Sequence, residues 1–295
     1  MKTLFSDKKT ITLLVVPGLA IMLFAIAIPL VISLFLSFVK WNGISPLKFI
    51  GIDNYTRLMK DSSFWRSLYN VFLLILVTIF FQNVFAFFIA SLLTKLKSGI
   101  SQFLRTAYFI PAALSLVVVT KLWVNIFHVE YGMFNKILNI LSLEHLQRAW
   151  LANTKTAIWA VIWIMIWQGF GWAILFFYSG LLTIPKELEE AALVDGANKM
   201  QVQFHVVLPN LVPVIQSIIV IDVISSLKQM EMVYLSTEGG PGGTTQFLAV
   251  YLYQRAFKYR EFGYGNAISV LFVILAVLLT VLIQRIFRKS LEQFE

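Results

Sequence analysis

Residues 184–213 read IPKELEEAALVDGANKMQVQFHVVLPNLVP, a polar insert between two apolar runs, 156–182 and 211–227. The insert predicts two short helices about a glycine. Pro185 suits a first helical turn, and Glu187, Glu189 and Glu190 favour the dipole-positive end of the first helix. Gly196 supplies the backbone freedom for a sharp corner, and Pro209 and Pro213 end the second helix and open the next apolar run. Ala191, Ala192, Gly196 and Ala197 leave a surface of low relief, flanked by the carboxylates of Glu190 and Asp195, on which another protein can dock closely. The plainer reading is an amphipathic hairpin lying on lipid, and the acidic residues oppose it beside anionic headgroups.

Outward from this insert the chain is a membrane protein. Of its 295 residues 59% are apolar and 13% charged, against about 25% charged in a soluble domain. Six apolar runs are long enough to span a bilayer: 11–39, 67–94, 106–127, 156–182, 211–227 and 262–284. Ala25-Ile26-Ala27 resembles a signal-peptidase site, but the apolar run continues to Val39, which favours a retained first helix. An even number of spans places both termini on one side. Lys2, Lys8, Lys9, Lys95, Lys97, Arg105, Lys186, Lys199, Arg285, Arg288 and Lys289 crowd the span ends of the terminal side, whereas the opposite loops hold nearly the same number of Lys and Arg but more diffusely. The termini are therefore expected to be cytoplasmic. The net charge of +9 then meets anionic lipid rather than nucleic acid. Cysteine is absent, which excludes thiolate chemistry, and His128, His145 and His205 fit no metal-ligand spacing.

Glu190-Ala191-Ala192, Asp195-Gly196-Ala197, Phe204, Leu208-Pro209 and Pro213 resemble the EAA loop of binding-protein-dependent ABC importer permeases. Gly51-Ile-Asp-Asn-Tyr55, Phe64-Trp65, Pro111 with Ser115, Trp123, Tyr131-Gly132 and Gly239-Gly240-Pro241 with Thr245 extend the likeness to the carbohydrate branch, and to its maltose-permease F-type members, over nearly the whole chain. The resemblance implies an all-α, six-span type I importer permease fold in one transmembrane domain, 1–295, with 184–213 as a cytoplasmic coupling loop. It further implies a bacterial cytoplasmic membrane, a heterodimer with a second related permease, two ATPase subunits and an extracellular solute-binding protein. Sugar or oligosaccharide would cross by alternating access. Glu190, Ala191, Ala192, Asp195, Gly196 and Ala197 would engage the ATPase, and Gly239, Gly240, Pro241 and Thr245 the binding protein. The chain has no G-x-x-x-x-G-K-[ST] loop, so ATP and magnesium belong to the partner ATPase and the chain is expected to be a conduit, not an enzyme.

Trp159, Trp163 and Trp167 fall at i, i+4 and i+8 on one helical face, with Gln168-Gly-Phe-Gly-Trp172 following. A stripe of this kind ordinarily packs or marks an interface, and that reading holds for Trp159 and Trp163. An amide and indoles beside two glycines instead make a groove with a stacking face and hydrogen-bonding groups, as sugars require. Gln168, Gly169 and Trp172 also resemble the family's substrate-lining stretch, and Ser115 is counted with them. Lys121 and Asp222 are charges within spans, costly to bury alone. They either pair with each other, or Lys121 snorkels outward and Asp222 accepts sugar hydroxyls. The rival function is an ion-coupled secondary sugar carrier, for which a lone Asp222 is thin support.

Overall fold

The computed structural model describes residues 8–291; Lys2 lies outside them. Its helices follow the apolar runs. Four are long and apolar enough to cross a membrane, Ile11–Leu36, Ser62–Leu93, Ala157–Leu181 and Phe262–Arg288, and two bent pairs bring the number of spans to six if each pair counts as one. The chain divides into two compact units, one of residues up to Asp61 with Leu252–Ile274, the other of Ser62–Tyr251 with residues from Leu275 onward.

In the first unit, α1 (Ile11–Leu36) leaves its apolar surface almost wholly uncovered, as a lipid-facing helix does. It widens into a π-helical turn over Leu23–Ala27, where Ile28 N–H reaches back to Leu23 O, immediately ahead of Pro29. A proline ring clashes with the carbonyl four residues earlier, and a wider turn relieves that clash. A two-residue antiparallel ladder follows, β1 (Val39–Lys40) on β2 (Lys48–Phe49), with Val39 opposite Phe49. Helix α2 (Asp53–Met59) is stapled to it by buried Asn54, whose Nδ2 donates to Ser37 O at 2.8 Å and Val39 O at 3.0 Å. Arg57 pairs with Glu261 at 2.9 Å and lies over the Tyr264 ring, and Tyr264 Oη donates to Asp61 at 2.8 Å.

The second unit holds α3 (Ser62–Leu93), α4 (Ser98–Ala113), α5 (Leu116–Ile126), α6 (Ala157–Leu181), α7 (Lys186–Val194), α8 (Lys199–Asn210) and α9 (Val212–Lys228). The run 106–127 is not the single helix its apolarity suggests: α4 and α5 meet at 93°. Leu114 and Ser115 adopt extended backbone (ψ 149° and 137°) just after Pro111, which has no N–H to continue the helical ladder. A second bend of 67° separates α8 from α9, with Pro213 in the first turn of α9.

Lipid tails are as apolar as leucine, so helices in a bilayer associate by close packing and polar contacts rather than by escape from water. Small residues set that packing here. At Gly171 on α6 an added Cβ would run into Tyr108 O and come within 2.9 Å of Phe109 Cα, so α4 and α6 cross backbone to backbone. Ala86 and Ala90 of α3 and Ala173 of α6 lie in one buried cluster with Phe87, Leu93, Ile174 and Phe177. The Trp stripe packs around Trp123, edge to face with Trp163 at 6.1 Å and Trp167 at 5.5 Å, and Trp159 and Trp163 remain half exposed.

Gly171→Val is expected to lower the Tm of the purified protein by several degrees, since overpacking costs about 1–3 kcal/mol. Gly99→Ala, where a Cβ meets nothing within 4 Å, is the control and should leave Tm unchanged or slightly raised.

Candidate functional site

A cavity of about 390 Å³ opens between the middles of α3 and α6 and the C-terminal half of α9. Gln168, Gly169, Trp172 and Asp222 all line it, with Thr78 and Gln82 from α3, Ser225 and Ser226 from α9 and Gln229 just past its end. Leu74, Met165, Ala173, Phe176, Ile218 and Ile221 complete the wall. Gly169 opens the α6 side: a Cβ there would stand 3.6 Å from the Gln82 amide. Trp172 is 50% exposed and meets the Phe109 ring in a T-shaped contact at 5.1 Å. Ser115 is elsewhere, exposed at the bend where α5 begins.

Asp222 does not pair with Lys121. Its Oδ2 accepts a 2.7 Å hydrogen bond from Asn83 Nδ2, and Lys121 is exposed with no ion pair to Asp222 among the described residues. Rise along a straight helix sets depth but not which way a helix face turns, and the 93° bend between α4 and α5 takes Lys121 off the straight line from Thr106. Asn83 was not foreseen, nor were Thr78, Gln82, Ser225, Ser226 and Gln229. The signal was present: Asp222, Ser225, Ser226 and Gln229 fall at i, i+3, i+4 and i+7 at the end of a largely apolar helix, and Thr78 and Gln82 at i and i+4. The latter two bound a π-helical turn, Thr78–Gln82, that interrupts α3 at the cavity.

The segment 184–213 folds as two helices about Gly196, whose φ is +87°. Gly196 N–H bonds to Leu193 O at 3.1 Å and Ala197 N–H to Ala192 O at 2.9 Å. That is the double closure of a Schellman corner, which needs the left-handed residue glycine supplies. One residue later Asn198 and Gln201 cap each other reciprocally, Gln201 N–H to Asn198 Oδ1 at 2.9 Å and Asn198 N–H to Gln201 Oε1 at 2.7 Å. Both arms of the corner are thus closed by bonds internal to it. The six residues expected to couple divide by direction. Glu190, Ala191, Asp195 and Gly196 face outward, whereas Ala192 and Ala197 are half-buried against the core cluster. Leu193, Val194, Met200 and Phe204 are also exposed, Val194 by 87%.

The loop 238–246 is tied down throughout, not a flexible glycine linker. Buried Thr245 donates Oγ1–H to Gly240 O at 2.7 Å and meets Thr237 Oγ1 at 2.7 Å. From α3, Arg66 Nη1 donates to Gly242 O at 2.8 Å, and buried Asn70 donates to Thr244 O at 3.0 Å and Gln246 O at 2.8 Å. The Gly240–Pro241 bond is cis. Of the four residues expected at this loop, Gly239 and Thr245 are buried within it, and Gly240 and Pro241 are half-buried.

Comparison with known proteins agrees with this architecture. Residues 82–293 match the family described as binding-protein-dependent transport system inner membrane component. The chain is 33% identical to the probable ABC transporter permease protein YurN of Bacillus subtilis (strain 168), over 95% of this chain and 97% of that protein. It is likewise 33% identical to the multiple sugar-binding transport system permease protein MsmF of Streptococcus mutans, over 90% of this chain and 91% of that one. A solved bacterial alginate ABC transporter, in complex with an alginate pentasaccharide-bound periplasmic protein, contains a chain of the same fold: TM-score 0.83, 20% identity, covering 98% of this chain and 96% of that one. The chain belongs to the family of binding-protein-dependent transport system inner membrane components and is an ABC transporter permease, not an enzyme.

Proposed function

We propose that this permease is one half of the translocation path of an ATP-driven importer of a sugar or oligosaccharide, set in a bacterial cytoplasmic membrane with both termini inside. A second, related permease completes the path. Two ATPase subunits, which bind ATP and magnesium, receive the elbow at 190–197, and an extracytoplasmic solute-binding protein delivers sugar to the loop at 238–246. The name of the Streptococcus mutans relative and the periplasmic protein in the alginate complex support the substrate class and the delivery partner. Ion-coupled carriage has no observation of its own here.

One observation carries the reading. Ala173 and Ile218 line the cavity and also belong to the buried cluster that roots the elbow through Ile184, Val202, Val207 and Leu211. A displacement of the elbow therefore reaches the cavity wall through packed side chains. Nucleotide-driven closure of the ATPase pair shifts the permease between states only if one state is bound more favourably, and the elbow is where that difference is felt. Sugars in turn suit the wall, with an indole face for C–H surfaces and amides, hydroxyls and a carboxylate for hydroxyl rims.

Proteoliposomes holding the assembled transporter, with binding protein and a radiolabelled sugar supplied outside, test this directly. Uptake should require ATP inside and ignore ion gradients; accumulation driven by an ion gradient without ATP would refute the proposal. Gly196→Val forces a β-branched residue to φ +87°, a penalty of about 1–3 kcal/mol. It should cut uptake at least about tenfold while basal ATPase activity persists. Asn70→Ala removes two bonds that hold the outer loop. It should speed amide exchange across 239–246 by about tenfold or more and weaken stimulation of the ATPase by binding protein.

A further inference from the structure

The cavity has a sign. Among its lining residues Asp222 alone carries a charge, and no Lys, Arg or His stands with it. Lys228, next in sequence to Gln229, is exposed and is not part of the lining. The remaining polar groups, Thr78, Gln82, Gln168, Ser225, Ser226 and Gln229, are neutral and can both donate and accept hydrogen bonds. Asn83 Nδ2 occupies one oxygen of Asp222 from behind the wall, since Asn83 is buried and does not line the cavity. What the carboxylate still offers is acceptor capacity only.

We propose that Asp222 makes this cavity selective for uncharged saccharides and against acidic ones, such as uronates and sugar sulfonates. The inference rests on the reading of the cavity as part of the sugar path. A hydroxyl entering the site donates to an ionised acceptor, a bond about twice as strong as one between neutral groups. An anionic substituent entering the same site meets a like charge in a space where salt screens poorly and finds no cation on this wall to answer it. At a separation of roughly 6–8 Å and an effective dielectric near 20, that repulsion disfavours the acidic sugar by tenfold or more.

The test uses the assembled transporter in lipid nanodiscs without binding protein, so that only the permease cavity selects. Tryptophan fluorescence is titrated with methyl glucoside and methyl glucuronide, which differ only in carrying CH2OH or a carboxylate at C6, and Trp172→Phe identifies the signal that arises in the cavity. The wild type is expected to bind the glucoside at least about tenfold more tightly. Asp222→Asn should shrink that ratio by gaining affinity for the glucuronide, and Ser225→Lys should do the same without touching the Asn83–Asp222 pair. Equal binding of the two probes by the wild type, or a ratio unmoved by both substitutions, overturns the inference while leaving the cavity as the sugar path. A cavity signal from neither probe removes that underlying reading, and the inference falls with it.

Discussion

The packing of the elbow's root against the small-residue faces of α3 and α6 is the constraint on which the rest depends. Ile184, Val202, Val207 and Leu211 are buried with Ala86, Phe87, Ala90, Ala173 and Phe177. These four side chains flank the elbow, and burial of each away from water stabilises it by about 1.5–3 kcal/mol. The acidic first turn of α7 adds about 0.3–1 kcal/mol through the helix dipole. The dipole acts on α7 itself, so it is the packing that holds the elbow to the membrane helices. The carboxylates of Glu190 and Asp195 are left exposed, where they are available to a partner.

Rigidity within the elbow comes from a different source. The Schellman closure at Gly196 and the reciprocal cap of Asn198 and Gln201 satisfy the backbone groups that two helix ends would otherwise leave open. A corner that bonds to itself transmits displacement without first straightening. The cavity obeys the opposite rule. Its wall is interrupted by a π-helical turn in α3 and opened by a glycine on α6, and its polar side chains other than Asp222 make no side-chain hydrogen bond among the described residues. Such groups are expensive inside a bilayer unless water or a ligand meets them.

Much of this was legible in the sequence because apolar run length and turn chemistry are local properties. The four long spans, the glycine corner at 196 and the cavity residues Gln168, Gly169, Trp172 and Asp222, though not Ser115, needed only spacing and family likeness. The break at Leu114–Ser115 was hidden because an uninterrupted apolar run looks the same whether its helix continues or bends, and Pro111 alone does not dictate a 93° turn. The Asn83–Asp222 bond was hidden for another reason. Depth along a span follows from residue rise, but the azimuth of one helix against another is set by packing such as that at Gly171, which no single segment encodes. The order of the outer loop could not be read from its own glycines, because two of its restraints, Arg66 and Asn70, lie more than 170 residues away in the chain.

Because the chain has no cysteine, a double electron–electron resonance measurement between labels at Val194→Cys on the elbow and Ile221→Cys on the cavity wall can be made without removing native thiols. In the assembled transporter, adding ATP should leave the mean and width of that distance unchanged, because elbow and wall move as one packed body. A nucleotide-dependent shift or broadening of several ångströms would mean that the elbow flexes against the wall, and would contradict the account.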